Sequence, residues 1–181
     1  MRSAFWRLPG RAAALGAVGL AWIACAPQVR TDGVPVAIPN ARMVQDGLLV
    51  GGQPTEKQIR RLAREGYRTI VNLRGPGEEG GWDEAPLSTE LGMAFVDVPI
   101  ASRADLNEAN ARRLAELVDR RDGFPMLVHC ASGNRVGALF ALKAFYVDGD
   151  PPEEALREGL EAGLTRLEPY VREALGLTGT E

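Results

Sequence analysis

The chain has 181 residues, about one domain's worth, with 45% hydrophobic and 25% charged side chains, the make-up of a protein that buries a core. Twenty-four acids against 21 bases give a formal charge of −3, which argues against a nucleic-acid binder, where a basic excess is the norm. Two cysteines and one histidine exclude a disulfide scaffold and a histidine-rich metal centre, so neither a metal nor another cofactor is expected.

Residues 1–25 read as an address rather than as fold. Arg2, Arg7 and Arg11 precede the uncharged run Ala12 to Ala24. That run is too short for a membrane span, which takes about 20 residues, but it suits the apolar region of a secretory signal. It ends at Ile23-Ala24-Cys25 and resembles a lipoprotein-type signal in which Cys25 becomes the lipidated N-terminus, with Trp22 standing where leucine is usual. The expectation is an exported, extracytoplasmic protein that meets the membrane only through a lipid on Cys25. Removing the segment takes away three of the 21 bases and none of the 24 acids, leaving −6 and Cys130 as a lone thiol. A lone thiol has no disulfide partner in its own chain, which leaves it packing or chemistry.

Residues 26–42, with Pro27, Gly33, Pro35 and Pro39, show no apolar periodicity and are expected to be a tether. The folded body then runs over 43–175. Met43 to Val50, broken by Asp46-Gly47, reads as a hairpin or edge strand. Thr55-Glu56-Lys57-Gln58 is a capping box opening a helix that buries Ile59, Leu62 and Ala63 and stops at Gly66. The β-branched run Thr69 to Leu73 suits a buried strand. After a glycine-rich loop, Gly75 to Gly81, a helix is expected from Asp83 to Leu91 and a strand from Ala94 to Val98. A helix over Leu106 to Arg120 leads to a third buried strand, Met126 to His129. Three further helices are expected over Arg135–Val147, Pro152–Ala162 and Thr165–Leu175. Strands alternating with helices imply an α/β fold in three layers, a mostly parallel central sheet with helices on both faces. Ligands of such sheets bind at the carboxyl ends of the strands.

One of those ends carries Val128-His129-Cys130-Ala131-Ser132-Gly133-Asn134-Arg135-Val136-Gly137. Between a strand and a helix, the successive N–H groups of Ala131, Ser132, Gly133 and Asn134 can converge on an anion, helped by the positive end of the helix dipole. Arg135 offers a planar fork for two oxygens of a phosphate-like group. Cys130 opens the loop, so the donors that would hold an anion would also stabilise its thiolate and make it a nucleophile. His129 is expected to orient the loop and tune the sulfur rather than act as a base. The competing readings are a cysteine that merely packs and an arginine on an exposed helix face.

At these residues the chain resembles the cysteine-dependent phosphatases of the tyrosine and dual-specificity superfamily. It looks most like the bacterial beta-lactamase-hydrolase-like, phosphatase-like branch. Gly51-Gly52-Gln53-Pro54 and Thr69-Ile70-Val71-Asn72-Leu73-Arg74 extend the likeness, which covers about residues 48–147. The resemblance implies a phosphotyrosine phosphatase-like fold. It also implies a phosphocysteine intermediate on Cys130, with the loop N–H groups and Arg135 holding the equatorial phosphate oxygens. The substrate would be a phosphorylated small molecule or protein.

Two departures keep alternatives open. Four residues separate Cys130 from Arg135 where the widespread motif has five, so a rhodanese-like sulfurtransferase carrying a persulfide on Cys130 is an alternative. Val136 stands where phosphatases have a hydroxyl that eases breakdown of the intermediate, which leaves room for a non-catalytic oxyanion-binding module; Ser132 is a substitute hydroxyl. By the same resemblance the general acid belongs in Ile100 to Asp105, and Asp105 is the candidate, with helix capping as its competing role and Asp97 as second choice. Arg74, a substrate-binding candidate, and Glu78, Glu79, Trp82 and Asp83 are expected at the rim, touching substrate or Arg135.

Overall fold

The computed structural model describes residues 36–78 and 81–177. The expected signal with Cys25, and residues 26–35 of the expected tether, lie outside that range. Residues 36–42 correct the tether. Val36 and Ile38 are buried, 2% and 5% exposed, and Arg42 already opens the first strand. Their prolines and lack of periodicity hid a segment that gains its burial from distant partners, Leu49 and Ile59 among them.

The sheet has five strands: β1 (Arg42–Gln45), β2 (Leu48–Gly51), β3 (Thr69–Asn72), β4 (Ala94–Asp97) and β5 (Met126–His129). Their spatial order is β1-β2-β5-β3-β4, with only the β1–β2 hairpin antiparallel. β5 is therefore central, and all four of its residues are buried. The parallel registers align Gly51, His129, Asn72 and Asp97 in one row at the carboxyl ends.

Helices cover both faces, as expected for the mostly parallel three-layer α/β class. On one face, α1 (Glu56–Arg64) and α2 (Glu84–Glu90) pack Ile59, Leu62 and Leu87 over Leu49, Ile70 and Leu127. Full burial of a side chain such as Ile59 or Leu62 contributes about 1.5–3 kcal/mol. The capping box of α1 closes as read: the Gln58 N–H donates to Thr55 Oγ1 at 3.3 Å and the Thr55 N–H to Gln58 Oε1 at 2.7 Å.

The other face holds α3 (Glu108–Val118), α4 (Asn134–Lys143), α5 (Pro152–Glu161) and α6 (Glu168–Ala174). Here Leu114, Leu139 and Leu142 meet Val50, Val71 and Val128. α4 continues into a π-helical turn, Ala144–Asp148, which accounts for the expected length of that helix. α4 and α5 touch backbone to backbone. A Cβ on Gly137 would lie 2.0 Å from Leu164 N and 2.6 Å from Gly159 O, and one on Gly159 would lie 2.8 Å from Gly137 O. Only glycine permits that approach.

Candidate active site

β5 delivers His129 and Cys130 to the carboxyl edge from the middle of the sheet, and α4 starts four residues later. The turn between them needs a residue in the left-handed region, which Gly133 supplies at φ +85° as N-cap of α4. The Gly133 N–H points back and donates to Cys130 Sγ at 3.1 Å. Cys130 is 1% exposed, so its sulfur sits at the floor of the turn. Among the described residues, the N–H groups of Ala131, Ser132, Asn134, Arg135 and Val136 meet no protein acceptor. An unpaired N–H at the start of a ten-residue helix is an anion donor, and Asn134, Arg135 and Val136 supply three at the start of α4.

The turn is fixed from two sides. Toward β2, the Cys130 N–H donates to Gly51 O at 3.3 Å, the Gln53 N–H to Ala131 O at 3.1 Å and Asn40 Nδ2 to Ser132 O at 3.0 Å. Toward α5 and α6, Asn134 Oδ1 accepts from the N–H and hydroxyl of Thr165 and from the Leu167 N–H, at 2.9, 3.1 and 3.3 Å. Asn134, expected as a phosphate ligand, therefore offers its main chain to the site and spends its side-chain oxygen on structure. Val136 is fully buried in the core beneath the loop, which gives an apolar reason for the departure at that position. Ser132 is half-buried.

Arg135 reaches across to the loop after β3. Its Nη1 donates to Glu78 Oε1 at 2.7 Å and to Ile100 O at 2.9 Å, and its Nη2 to Glu78 Oε2 at 2.5 Å. Two edges of the fork are thereby separated. The outer edge is held by a carboxylate, while Nε and the second Nη2 hydrogen remain for an oxyanion. The Arg135 bond holds the Glu78 carboxyl below its usual range. Glu78 in turn raises the Arg135 value, opposed by burial and reinforced by the Cys130 sulfur.

Arg74, expected at the rim as a substrate contact, is turned to structural partners. It is buried, and its donors are engaged: Nε to Asn72 Oδ1 at 3.0 Å, Nη1 to Glu78 O at 2.6 Å and Nη2 to Glu84 Oε2 at 2.9 Å. It holds the Glu78 loop rather than facing the cysteine turn.

Glu84, the first residue of α2, was not anticipated. It is 3% exposed, and its carboxylate meets Arg74, Gln53 Nε2 at 3.3 Å and His129 Nε2 at 3.1 Å. The His129 contact is close but off line for a hydrogen bond, and among the described residues neither of its two atoms has another hydrogen-bond partner. The other ring nitrogen lies 3.4 Å from Cys130 O, so the His129 ring sits between the start of the loop and Glu84 of α2. In sequence Glu84 looks like any acid in a first helical turn, and only the tertiary fold shows it beneath the site.

The expected general acid is turned inward on its own turn. Asp105 Oδ2 accepts from the Ser102 N–H at 2.8 Å and the Ser102 hydroxyl at 3.0 Å, and these bonds hold its carboxyl below the usual range. It closes the short 3-10 turn Arg103–Asp105, while Asn107 caps α3. Asp97 accepts from Asn72 Nδ2 at 2.9 Å. Trp82 is half-buried against the α1–α2 core, and Glu79 lies outside the described residues.

A cavity of about 470 Å³ opens beside Arg135, bounded by Glu78, Ile100, Ser102, Arg103, Leu106 and Leu167 among others. Of the residues from Cys130 to Val136, Arg135 is the one that lines it.

Comparison with known proteins gives this geometry a family. The model of a family described as "DSP-PTPase phosphatase fused to NAD+ Kinase" matches residues 39–161. A beta-lactamase hydrolase-like protein of Xylella fastidiosa (strain Temecula1 / ATCC 700964) is 34% identical over 110 residues, 59% of this chain and 25% of the relative. A namesake from Agrobacterium fabrum is 28% identical over 107 residues, 57% of this chain and 24% of the relative. The chain thus matches only about a quarter of the length of these curated relatives. Among solved structures, the active form of Tk-PTP superposes with a TM-score of 0.57 at 24% identity, covering 78% of this chain and 99% of that one. The core catalytic domain of the PP-IP phosphatase SIW14 from S. cerevisiae does so at 0.57 and 16% identity, covering 78% and 93%. At those identities the structures speak for the fold alone. With a family match across more than half its length, the chain belongs to the DSP-PTPase phosphatases, the tyrosine and dual-specificity type, with beta-lactamase hydrolase-like proteins among its relatives.

Proposed function

We propose that the chain hydrolyses phosphate monoesters with Cys130 as nucleophile, through a phosphocysteine intermediate. The observation that carries this is the buried Cys130 sulfur 3.1 Å from the Gly133 N–H, in a turn whose neighbouring N–H groups are unpaired among the described residues, with one edge of the Arg135 fork left for oxygens. A phosphoryl group seated there has its three equatorial oxygens on donors and its phosphorus over the sulfur.

In the first step a sulfur lone pair forms the S–P bond while the P–O bond to the leaving group breaks, and the departing oxygen takes up a proton from solvent. In the second, water attacks phosphorus, the S–P bond breaks, and inorganic phosphate leaves with the thiolate restored. The donors stabilise the charge on the equatorial oxygens in both transition states. With the Asp105 carboxylate committed to Ser102, the first step favours leaving groups that depart without much protonation, so aryl phosphates, phosphotyrosine included, are the preferred class.

The test is phosphate release from p-nitrophenyl phosphate by wild type and Cys130→Ser, with intact-mass analysis of rapidly quenched protein. A phosphoryl adduct on Cys130 and an inactive variant are expected. Equal activity of the variant ends the proposal, and a persulfide formed from thiosulfate in place of the phosphoryl adduct replaces it with sulfur transfer. Export with a lipid on Cys25 belongs to the same proposal and rests on residues 1–25 alone. Incorporation of labelled palmitate by wild type and its loss in Cys25→Ser is the check.

A further inference from the structure

The cavity beside Arg135 has a charge pattern that the hydrolysis of a simple ester does not use. Its apolar lining includes Ile100, Leu106 and Leu167. The Arg135–Glu78 pair, which is internally neutral, lines it too. So does Arg103, exposed on its 3-10 turn, with no carboxylate partner among the described residues. Arg166 directly precedes the lining residue Leu167, is also exposed and also lacks a partner there. Its turn is fastened to the cysteine loop by the bonds from Thr165 and Leu167 to Asn134.

Arg103 thus lines the cavity without a carboxylate partner among the described residues, and Arg166 adjoins the lining residue Leu167 in sequence, in a chain of net charge −3. Asp105 is the nearest acid on the same turn, and its carboxylate is occupied by Ser102.

We infer that Arg103 and Arg166 read a second negative group on the substrate, separated from the scissile phosphate by an apolar spacer that lies along Ile100, Leu106 and Leu167. The substrate class is a phosphate monoester with an aromatic or aliphatic body and a further carboxylate or phosphate at its far end. This rests on the phosphatase reading above for the position of the scissile phosphate.

The experiment compares 4-carboxyphenyl phosphate with its neutral isostere 4-carbamoylphenyl phosphate on the full chain. Wild type is expected to favour the carboxylate by about fivefold in kcat/KM, less at high salt, the size of a partly exposed charge contact. The ratio falls toward one in Arg103→Gln together with Arg166→Gln. Because each variant supplies its own ratio, loss of folded protein does not imitate the effect. A wild-type ratio of one, or a ratio unchanged in the double variant, overturns the inference and leaves the phosphatase reading standing. If neither ester is hydrolysed, the phosphatase reading fails. The inference is then decided by the concentrations at which the two esters protect Cys130 from iodoacetamide, read by peptide mapping. Equal protection by both ends it.

Discussion

Between Cys130 and Val136 five backbone N–H groups meet no acceptor among the described residues, whereas between Ile100 and Leu106 the polar groups close on one another. In the second stretch Asp105 and Leu106 donate back to Ser102 O and Arg103 O, the Asp105 carboxylate takes both Ser102 donors, and Ile100 O takes an Arg135 hydrogen. The first stretch cannot close in that way, because helix α4 begins inside it and the first turn of a helix has no upstream carbonyls to meet. The difference teaches where the chemistry resides. A loop entering a long helix remains unsatisfied by construction, while a loop ending in a capped 3-10 turn consumes the acid it carries.

This contrast can be broken or sharpened by substitution. The largest effect is expected at Arg135→Lys. A point charge cannot hold Glu78 on one edge and an oxyanion on the other, so kcat/KM for p-nitrophenyl phosphate should fall by about 10²–10³-fold, with the melting midpoint as a control for folding. Next is Glu84→Ala, which strands the buried Arg74 guanidinium and His129; a loss of about 3–5 kcal/mol in denaturant unfolding is expected. A change below about 1 kcal/mol would mean that water replaces the carboxylate.

Glu78→Gln follows, with a fall in kcat/KM of about tenfold or less as the outer edge of the fork loosens. Because the folded Glu78 carboxyl titrates below its unfolded value, its contribution to stability is complete above the ordinary carboxyl range. It disappears only as pH falls through the lower, folded value. The acid limb of a stability–pH curve should therefore flatten in Glu78→Gln, and an unchanged limb would place the stabilising pair elsewhere. The smallest effect belongs to Asp105→Asn, which should stay within about twofold of wild-type kcat on aryl phosphates, since the carboxylate is bonded to Ser102. A drop of about a hundredfold would return it to the role of proton donor.

Much of the architecture was legible because it is local. The Thr55–Gln58 box, the β-branched run of β3 and the strand–turn–helix around Cys130 are written in consecutive residues, and the structure shows each of them. The rest depended on residues far apart in the chain. Val36 and Ile38 sit among prolines and are buried only because β2 and α1 cover them. Arg74 at a strand end looks like a rim residue facing substrate until Glu84, ten residues on, is seen to claim it. Asn134 lies within the anion-binding turn, yet its side chain answers to Thr165 and Leu167. Ionic and polar partners of this kind leave no periodicity to read, because a carboxylate's choice among arginines is settled by packing.

The glycine contact between α4 and α5 has a dynamic consequence. With Gly137 facing the Leu164 amide and Gly159 facing the Gly137 carbonyl, neither helix can slide or roll without driving main chain into main chain. The sulfur-bearing jaw of the site is thus stationary, and adjustment to ligands of different girth falls to the opposing jaw, where the Glu78 loop and the Ser102 turn are joined to it through the Arg135 guanidinium.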